Sequence, residues 1–259
     1  MSLVATKLIP AAALDVLAGG EVRDGVFFLP PGQLDRKLYE AVNDVLGALG
    51  GKWVRSRKGH VFADDAADRI AAAVTSGSYS DPKALAYFPT PAWLARDLVR
   101  MADVRPGHLC LEPSSGEGAI ARELAAVVGN GKLQCWEIDG GRAKKLDAAG
   151  FVTFACDFLT AEPMPFDRIV MNPPFSVPGR PQADVDHVLH ALRFLAPEGM
   201  LVSVMSAGVM HRTNERSGAF RDLVASRDGT MEPLTEGAFD ESGTSVRTCV
   251  VRIPAGGAR

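Results

Sequence analysis

Three carboxylates and one amide stand where short apolar runs end, a pattern that can set several acceptors around one ligand. Glu112 closes "LCLE", Glu137 closes "LQCWE", Asp157 closes "FVTFACD" and Asn172 closes "FDRIVMN". If these runs are successive strands of an open sheet, their last residues share the edge where such sheets hold ligands. Acids at three neighbouring strand ends suit a cationic nucleoside. Glu112 would meet a positive amino group and would repel a pyrophosphate. Glu137 would accept from ribose hydroxyls, with Ile138 covering an adenine face, and Asp157, followed by Phe158, would accept from an adenine amino group.

Asn172 points to a second ligand. The prolines of "IVMNPPF", Pro173 and Pro174, carry no N–H and fix φ, so a ladder stops there and carbonyls are left free to accept. An amide oxygen and a rigid carbonyl can together grip an exocyclic NH2. Such an amine is a poor nucleophile because its lone pair is delocalised into the ring. Two acceptors favour its pyramidal form and stabilise the charge that develops on nitrogen. Phe175 offers a face for stacking, worth roughly 1–3 kcal/mol for a base.

The elements that must position these groups follow from periodicity. "LCLEPSSGEGAIARELA" reads as strand, glycine loop and helix. Pro113 and Ser114 lead into Gly116 and Gly118, which let the backbone approach a ligand at a helix N-terminus. Gly116, Gly118 and Ala121, with Glu137 further on, also satisfy a loose dinucleotide pattern, which by itself fits NAD, FAD or S-adenosylmethionine. From residue 83 onward, strands alternate with helices, which implies a parallel sheet with helices on both faces. Helices are expected over "PAWLARDLVRMADV", "GAIARELAAVVG", "GRAKKLDAAG", "ADVDHVLHALRFLAPEG" and "SGAFRDLVASRDG". "MLVSVMS" and "VRTCVVRIP" are the last strands, with an antiparallel strand expected at one edge near the C-terminus.

Residues 1–82 form a separate expectation, a small α+β unit. It comprises a strand or hairpin in "EVRDGVFFLP", an amphipathic helix ended by Gly50 and Gly51, two short strands around a turn at Lys58-Gly59 in "KWVRSRKGHVFA", and a second helix. The polar stretch "SGSYSDPKA" marks the boundary with a second domain, 83–259. The net charge is −3, so any nucleic-acid contact must come from local patches. The four cysteines form no CxxC pair and read as buried reduced thiols. No signal peptide or membrane span is apparent, so a cytoplasmic protein is expected. His187 and His190 lie three apart on a helix with no further ligands in view, and no metal site is expected.

The ordered combination of "LEPSSGEG" and "NPPF", preceded by "YFPTPAWLARDLV" at 87–99, resembles the amino-group DNA methyltransferases, adenine-N6 enzymes of phage and plasmid type in particular. "GAFDESGTSVRTCVVRI" is similar to their closing strands, so the resemblance spans about residues 85–255. It implies a Rossmann-like, doubly wound, mostly parallel seven-stranded sheet with S-adenosylmethionine as cofactor. Phe88, Thr90 and Pro91 would cup its methionine end. It further implies that adenine is flipped out of the duplex and held by Asn172 and the Pro173 carbonyl. Cytosine-C5 chemistry is disfavoured, since no Pro-Cys pair supplies a nucleophile.

Family members with known specificity often carry a large recognition domain after the catalytic part, for which this chain has no room. Two basic clusters are candidates for nucleic-acid contact: Lys52, Arg55, Arg57 and Lys58 around Trp53, and Arg212, Arg216 and Arg221 in "HRTNERSGAFR". DNA is the expected partner. Competing readings are methylation of an RNA base or of a protein glutamine, since similar motifs occur in such enzymes, and a non-catalytic binding module on a decayed methylase.

Overall fold

The computed structural model describes residues 6–62, 66–80, 88–235, 237–239 and 246–256. The chain divides into two compact units, 3–85 and 86–259. The boundary expected after residue 82, Tyr87, and most of the acidic end of "GAFDESGT" lie outside the described residues.

The first unit is α+β. Its strand β1 (Thr6–Leu8) is followed by helix α1 (Ala11–Ala18), strands β2 (Glu21–Arg23) and β3 (Val26–Phe28), and helix α2 (Arg36–Ala48). Strands β4 (Lys52–Val54) and β5 (Gly59–Val61), helix α3 (Ala67–Ser76) and strand β6 (Ser78–Ser80) complete it. Asp24 and Gly25 both have positive φ, 49° and 71°, the geometry of a tight hairpin turn, and β2 pairs with β3 across them. The four-stranded sheet runs β2-β3-β5-β4 and is antiparallel throughout. Asp35 caps α2 by accepting from the Leu38 N–H at 2.9 Å, and Val42, Val45 and Leu46 of that helix enter a core with Phe27, Phe62 and Ile70. The polar stretch "SGSYSDPKA" begins with a strand of the first unit, because Ser78–Ser80 pairs antiparallel with Thr6–Leu8.

The second unit is the expected α/β sheet. It contains α4 (Ala92–Met101), β7 (Cys110–Glu112), α5 (Ala119–Val128), β8 (Leu133–Trp136), α6 (Gly140–Ala148), β9 (Val152–Phe154) and β10 (Phe166–Met171). Then come α7 (Ala183–Ala191), β11 (Leu195–Ser206), α8 (Gly208–His211), α9 (Glu215–Ser226), β12 (Thr230–Pro233) and β13 (Thr248–Pro254). The seven strands lie in the order β12-β13-β11-β10-β7-β8-β9. The five from β9 to β11 are mutually parallel, and β13 runs antiparallel to both of its neighbours. The reversed strand therefore sits one position inside the edge, and the edge itself is β12. "TMEP" is too short and polar for alternation to reveal it as a strand. Helices α4 and α5 help bury one face of the sheet, and α7 and α9 the other.

Two further expectations are corrected. The helix starting at Ala183 stops at Ala191, and Leu195, placed in that helix from sequence, begins β11. Between Phe166 and Arg168 the pairing with β11 jumps from Leu195 to Met200, so the segment Ala196–Gly199 bulges out of the ladder. Of the four cysteines, Cys110, Cys135 and Cys249 are buried but Cys156 is exposed, because it lies beyond the end of β9. Among the described residues no helix is long and apolar enough to cross a membrane.

The bulge has a specific steric requirement. A Cβ at Gly199 would lie 2.9 Å from the Ala196 carbonyl oxygen and 3.1 Å from that of Phe166, and backbone oxygens cannot swing away. Gly199→Ala is expected to lower unfolding stability by about 1–3 kcal/mol. Gly131→Ala, where a Cβ meets nothing within 4 Å, should stay within about 0.5 kcal/mol of wild type. Paired denaturant titrations check both, and equal midpoints for the two variants would contradict the assignment.

Candidate functional site

The parallel register brings the predicted acceptors to one edge. Arg168 and Ile169 of β10 pair with Cys110 and Leu111 of β7, and Glu112 pairs with Cys135 of β8. The ends of these strands thus lie side by side, and the glycine loop leaves from their centre.

That loop is held by its own chain. The Ser115 N–H donates to the Trp136 carbonyl at 2.9 Å, and the Ser115 hydroxyl to the Glu112 carbonyl at 2.8 Å. Gly116 and Gly118 both have positive φ, 54° and 82°. A Cβ on Gly118 would also meet Leu146 Cδ2 at 2.7 Å, so this glycine allows α6 to pack against the loop. Pro113 is buried beneath the turn and Ser114 is half-buried.

Glu137, expected to await ribose hydroxyls, already has partners. Its Oε2 accepts from the Gly116 N–H at 2.7 Å. Its Oε1 accepts from the Asp139 N–H at 2.8 Å and from Arg142, whose guanidinium forms a largely buried ion pair with it at 2.9 Å. The carboxylate is thereby a latch between the end of β8 and the glycine loop. Arg142 was not expected here, and its only sequence signal is its place five residues after Glu137, one turn into a helix. Ile138 is half-buried beside the latch.

Glu112 is 2% exposed, and its Oε2 has no hydrogen-bond partner. Burial pushes its carboxyl well above the usual carboxylate range, and nearby Glu137 adds to this, against the pull of hydrogen bonds from Ala121 and Ser115 and the charge of Arg122. A buried acceptor without a partner is costly unless a ligand supplies one.

Asp157 accepts from the Leu159 N–H at 2.9 Å and so caps a short 3-10 turn, Phe158–Thr160. Phe158, expected at the ligand, is 2% exposed. It packs against Trp136, His190 and Phe194, because the turn directs its ring into the core below the site. His187, for which no metal role is expected, is half-buried with Nδ1 3.4 Å from the Ser114 hydroxyl. Burial pulls its imidazole down to about 4, against Asp157 and Asp186, so the ring is neutral at physiological pH.

Asn172 is the best defined of these groups. Its Nδ2 donates to Thr90 Oγ1 at 3.0 Å and to the Phe88 carbonyl at 3.3 Å. A carbonyl only accepts, so this pair fixes which way the amide faces. No described group donates to Oδ1 or to the Pro173 carbonyl. Thr90 and Pro91 are half-buried, with Pro91 at the N-cap of α4. Phe175 is not an open stacking platform. It is 8% exposed and stacks on Phe88 at a centroid distance of 6.5 Å, so it braces the segment that orients Asn172. Pro173 is buried and Pro174 half-buried.

The predicted basic residues divide. Arg216 is ion-paired with Asp186. Arg221 donates to the Val209 and Arg212 carbonyls at 2.9 Å each, pinning the α8–α9 turn. Arg212 is exposed and reaches Ser206 Oγ at 3.5 Å. Lys52, Trp53, Arg55, Arg57 and Lys58 are exposed in the first unit.

No protein-family model and no curated protein matches the chain. Solved structures do. A type I restriction-modification system methyltransferase subunit from Streptococcus thermophilus aligns at 20% identity with a TM-score of 0.54, over 67% of this chain and 44% of that one. The type I restriction enzyme EcoKI M protein aligns at 15% identity with a TM-score of 0.55, over 87% and 52%. The chain thus spans about half the length of these structures. At such identities the likeness is one of fold, and it agrees with the strand order: the second unit has a Rossmann-like, mostly parallel seven-stranded sheet, the fold it shares with these methyltransferase structures.

Proposed function

We propose that this chain transfers a methyl group from S-adenosylmethionine to the exocyclic N6 amine of adenine in DNA. The observation that carries the reading is the fixed amide of Asn172, whose Nδ2 is committed to Phe88 and Thr90 while Oδ1 is left to accept. With the Pro173 carbonyl, it forms the acceptor pair that an aromatic amine needs and that a hydroxyl or carbon nucleophile would not.

The residues present fit the cofactor. The orphaned, buried Oε2 of Glu112 is an acceptor that an ammonium group would satisfy, and Glu112, Glu137 and Asp157, at or shortly beyond the ends of β7, β8 and β9, would suit a cationic nucleoside. Glu137 would take ribose hydroxyls on the lone pair that Gly116 leaves free, Asp157 the adenine amino group, and Ile138 an adenine face. When bound, the cofactor supplies an electrophilic methyl on sulfonium. Asn172 Oδ1 and the Pro173 carbonyl accept from the two N6 protons and turn the nitrogen lone pair out of the ring. Methyl transfer would form the N–C bond as the S–C bond of the bound cofactor breaks, and one N6 proton would leave to solvent. Phe175 supports the site indirectly, by backing the Phe88 ring whose backbone carbonyl orients Asn172. Extruding adenine from a duplex costs a few kcal/mol, which contacts in the site must offset.

The direct test incubates the protein with methyl-labelled S-adenosylmethionine and DNA, RNA or protein, then identifies the modified unit. N6-methyladenine in DNA is expected, and label confined to RNA or protein would overturn the reading. Asn172→Ala should lower transfer roughly 10²–10³-fold while cofactor binding persists. Thr90→Val should lower kcat by a smaller factor, because it frees the amide to rotate.

Glu112→Gln separates stability from binding. Because the folded-state pKa of Glu112 lies above 4.5, its protonated form stabilises the fold at low pH, and that stability is lost as pH rises through the folded pKa. Without cofactor, the glutamine variant should therefore gain stability relative to wild type as pH rises from 5 to 8, yet bind S-adenosylmethionine more weakly. Denaturation midpoints across this pH range, paired with calorimetric titration, check both signs.

A further inference from the structure

The first unit carries an arrangement that methyl transfer does not use. Strand β4 is an outer strand of the four-stranded sheet, paired to β5 with Lys52 opposite Val61, Trp53 opposite His60 and Val54 opposite Gly59. Arg55, Ser56, Arg57 and Lys58 form the connecting loop, so three cations sit at one tip, and Lys52 stands at the other end of the three-residue strand β4. All four are exposed, and Trp53 is 45% exposed.

Several cations elsewhere on the molecule are neutralised by carboxylates. Arg23 pairs with Glu21, Arg36 with Glu40, Lys145 with Glu117 and Arg216 with Asp186. Among the described residues none of the four hairpin cations has a carboxylate partner. The sequence contains no Asp or Glu between Asp44 and Asp64. The positive charge is thus left unneutralised on a chain whose net charge is −3.

The tip is also held in place. The Arg57 N–H donates to the Val54 carbonyl at 3.0 Å, and Lys58 takes a positive φ of 50° to close the turn. A Cβ on Gly59 would lie 2.5 Å from Val26 Cγ1 and 2.8 Å from the Phe27 carbonyl, so β5 is pressed directly onto β3. His60 is buried, with Nε2 2.6 Å from Asn43 Oδ1 on α2, and Trp53 packs edge-on against His60 at 5.2 Å. Such a scaffold loses little backbone entropy when its cations meet a ligand.

We propose that the β4–β5 hairpin docks on the sugar–phosphate backbone of duplex DNA through Lys52, Arg55, Arg57 and Lys58, with Trp53 against the sugar edge. The choice of DNA among polyanions rests on the function proposed above. Contacts of this kind set position and affinity rather than sequence. Each neutralised phosphate contributes about −0.9 to the slope of log K against log salt, so the four cations together account for about −3.6.

The test measures binding of the full chain to a fluorescent DNA duplex across a salt series, for wild type and Arg55→Ala/Arg57→Ala. The variant should bind more weakly at low salt, and its slope should flatten by about 2, with S-adenosylmethionine affinity unchanged. An unchanged slope would overturn the proposal. So would tighter binding to duplex RNA whose slope, rather than that of DNA, flattens in the variant. Label transfer to DNA by the wild type, run in parallel, keeps the two ideas separate. DNA labelled with an unflattened slope defeats the hairpin alone, and a flattened slope without labelled DNA defeats the catalytic reading alone.

Discussion

Parallel register is the constraint on which the site depends. Strands that run the same way and pair level with one another must end on the same side, and β8, β7 and β10 do so through pairs such as Glu112 with Cys135 and Ile169 with Leu111. A parallel strand needs a crossover to return, and the crossover after β7 starts in the glycine loop. The loop therefore emerges at the centre of the edge where Glu112, Glu137 and Asn172 end their strands. A slip of one residue in β7 or β10 would exchange core and surface faces and move the acceptors away.

Within that frame, polar groups of the site are oriented by other groups of the same chain. Glu137 spends lone pairs on Gly116, Asp139 and Arg142, which makes it as much a latch on the glycine loop as a ligand group. Asn172 is turned by Phe88 and Thr90, and the Phe88 ring is in turn backed by Phe175. Glu112 is the exception, buried with one oxygen unmatched. A fold carries such a cost where function requires it, and the glutamate stands where a cationic ligand would relieve it.

Charge is divided in a way that follows from the chemistry. An edge lined with Glu112, Glu137 and Asp157 suits a cation and repels phosphates, so any polyanionic ligand would have to be held by other residues. Within the second unit, Arg216 and Arg221 are occupied by Asp186 and by backbone carbonyls. The unneutralised cations of the first unit, on a rigid hairpin, have the opposite character.

The sequence by itself determined the alternation of strands and helices, the acids Glu112 and Glu137 at their strand ends and the Asn-Pro-Pro-Phe stop, whereas Asp157, read as a strand end, lies three residues beyond β9 and caps a 3-10 turn. Those features are local: periodicity, glycine and proline act over a few residues. It also showed the turn at Lys58-Gly59, because turn chemistry is local too, and it left "EVRDGVFFLP" open between a strand and the hairpin that β2 and β3 form. The edge strand β12 was not legible, since "TMEP" is a strand only because β13 pairs with it. Nor were the partners of Glu137, the arrival of His187 beside Ser114, the burial of Phe158 and Phe175, or the pairing of Arg216 with Asp186. Each of these joins residues distant in sequence or depends on which way a ring points. Hydrogen bonds and packing across the sheet decide such matters, and only the tertiary structure brings the partners within reach.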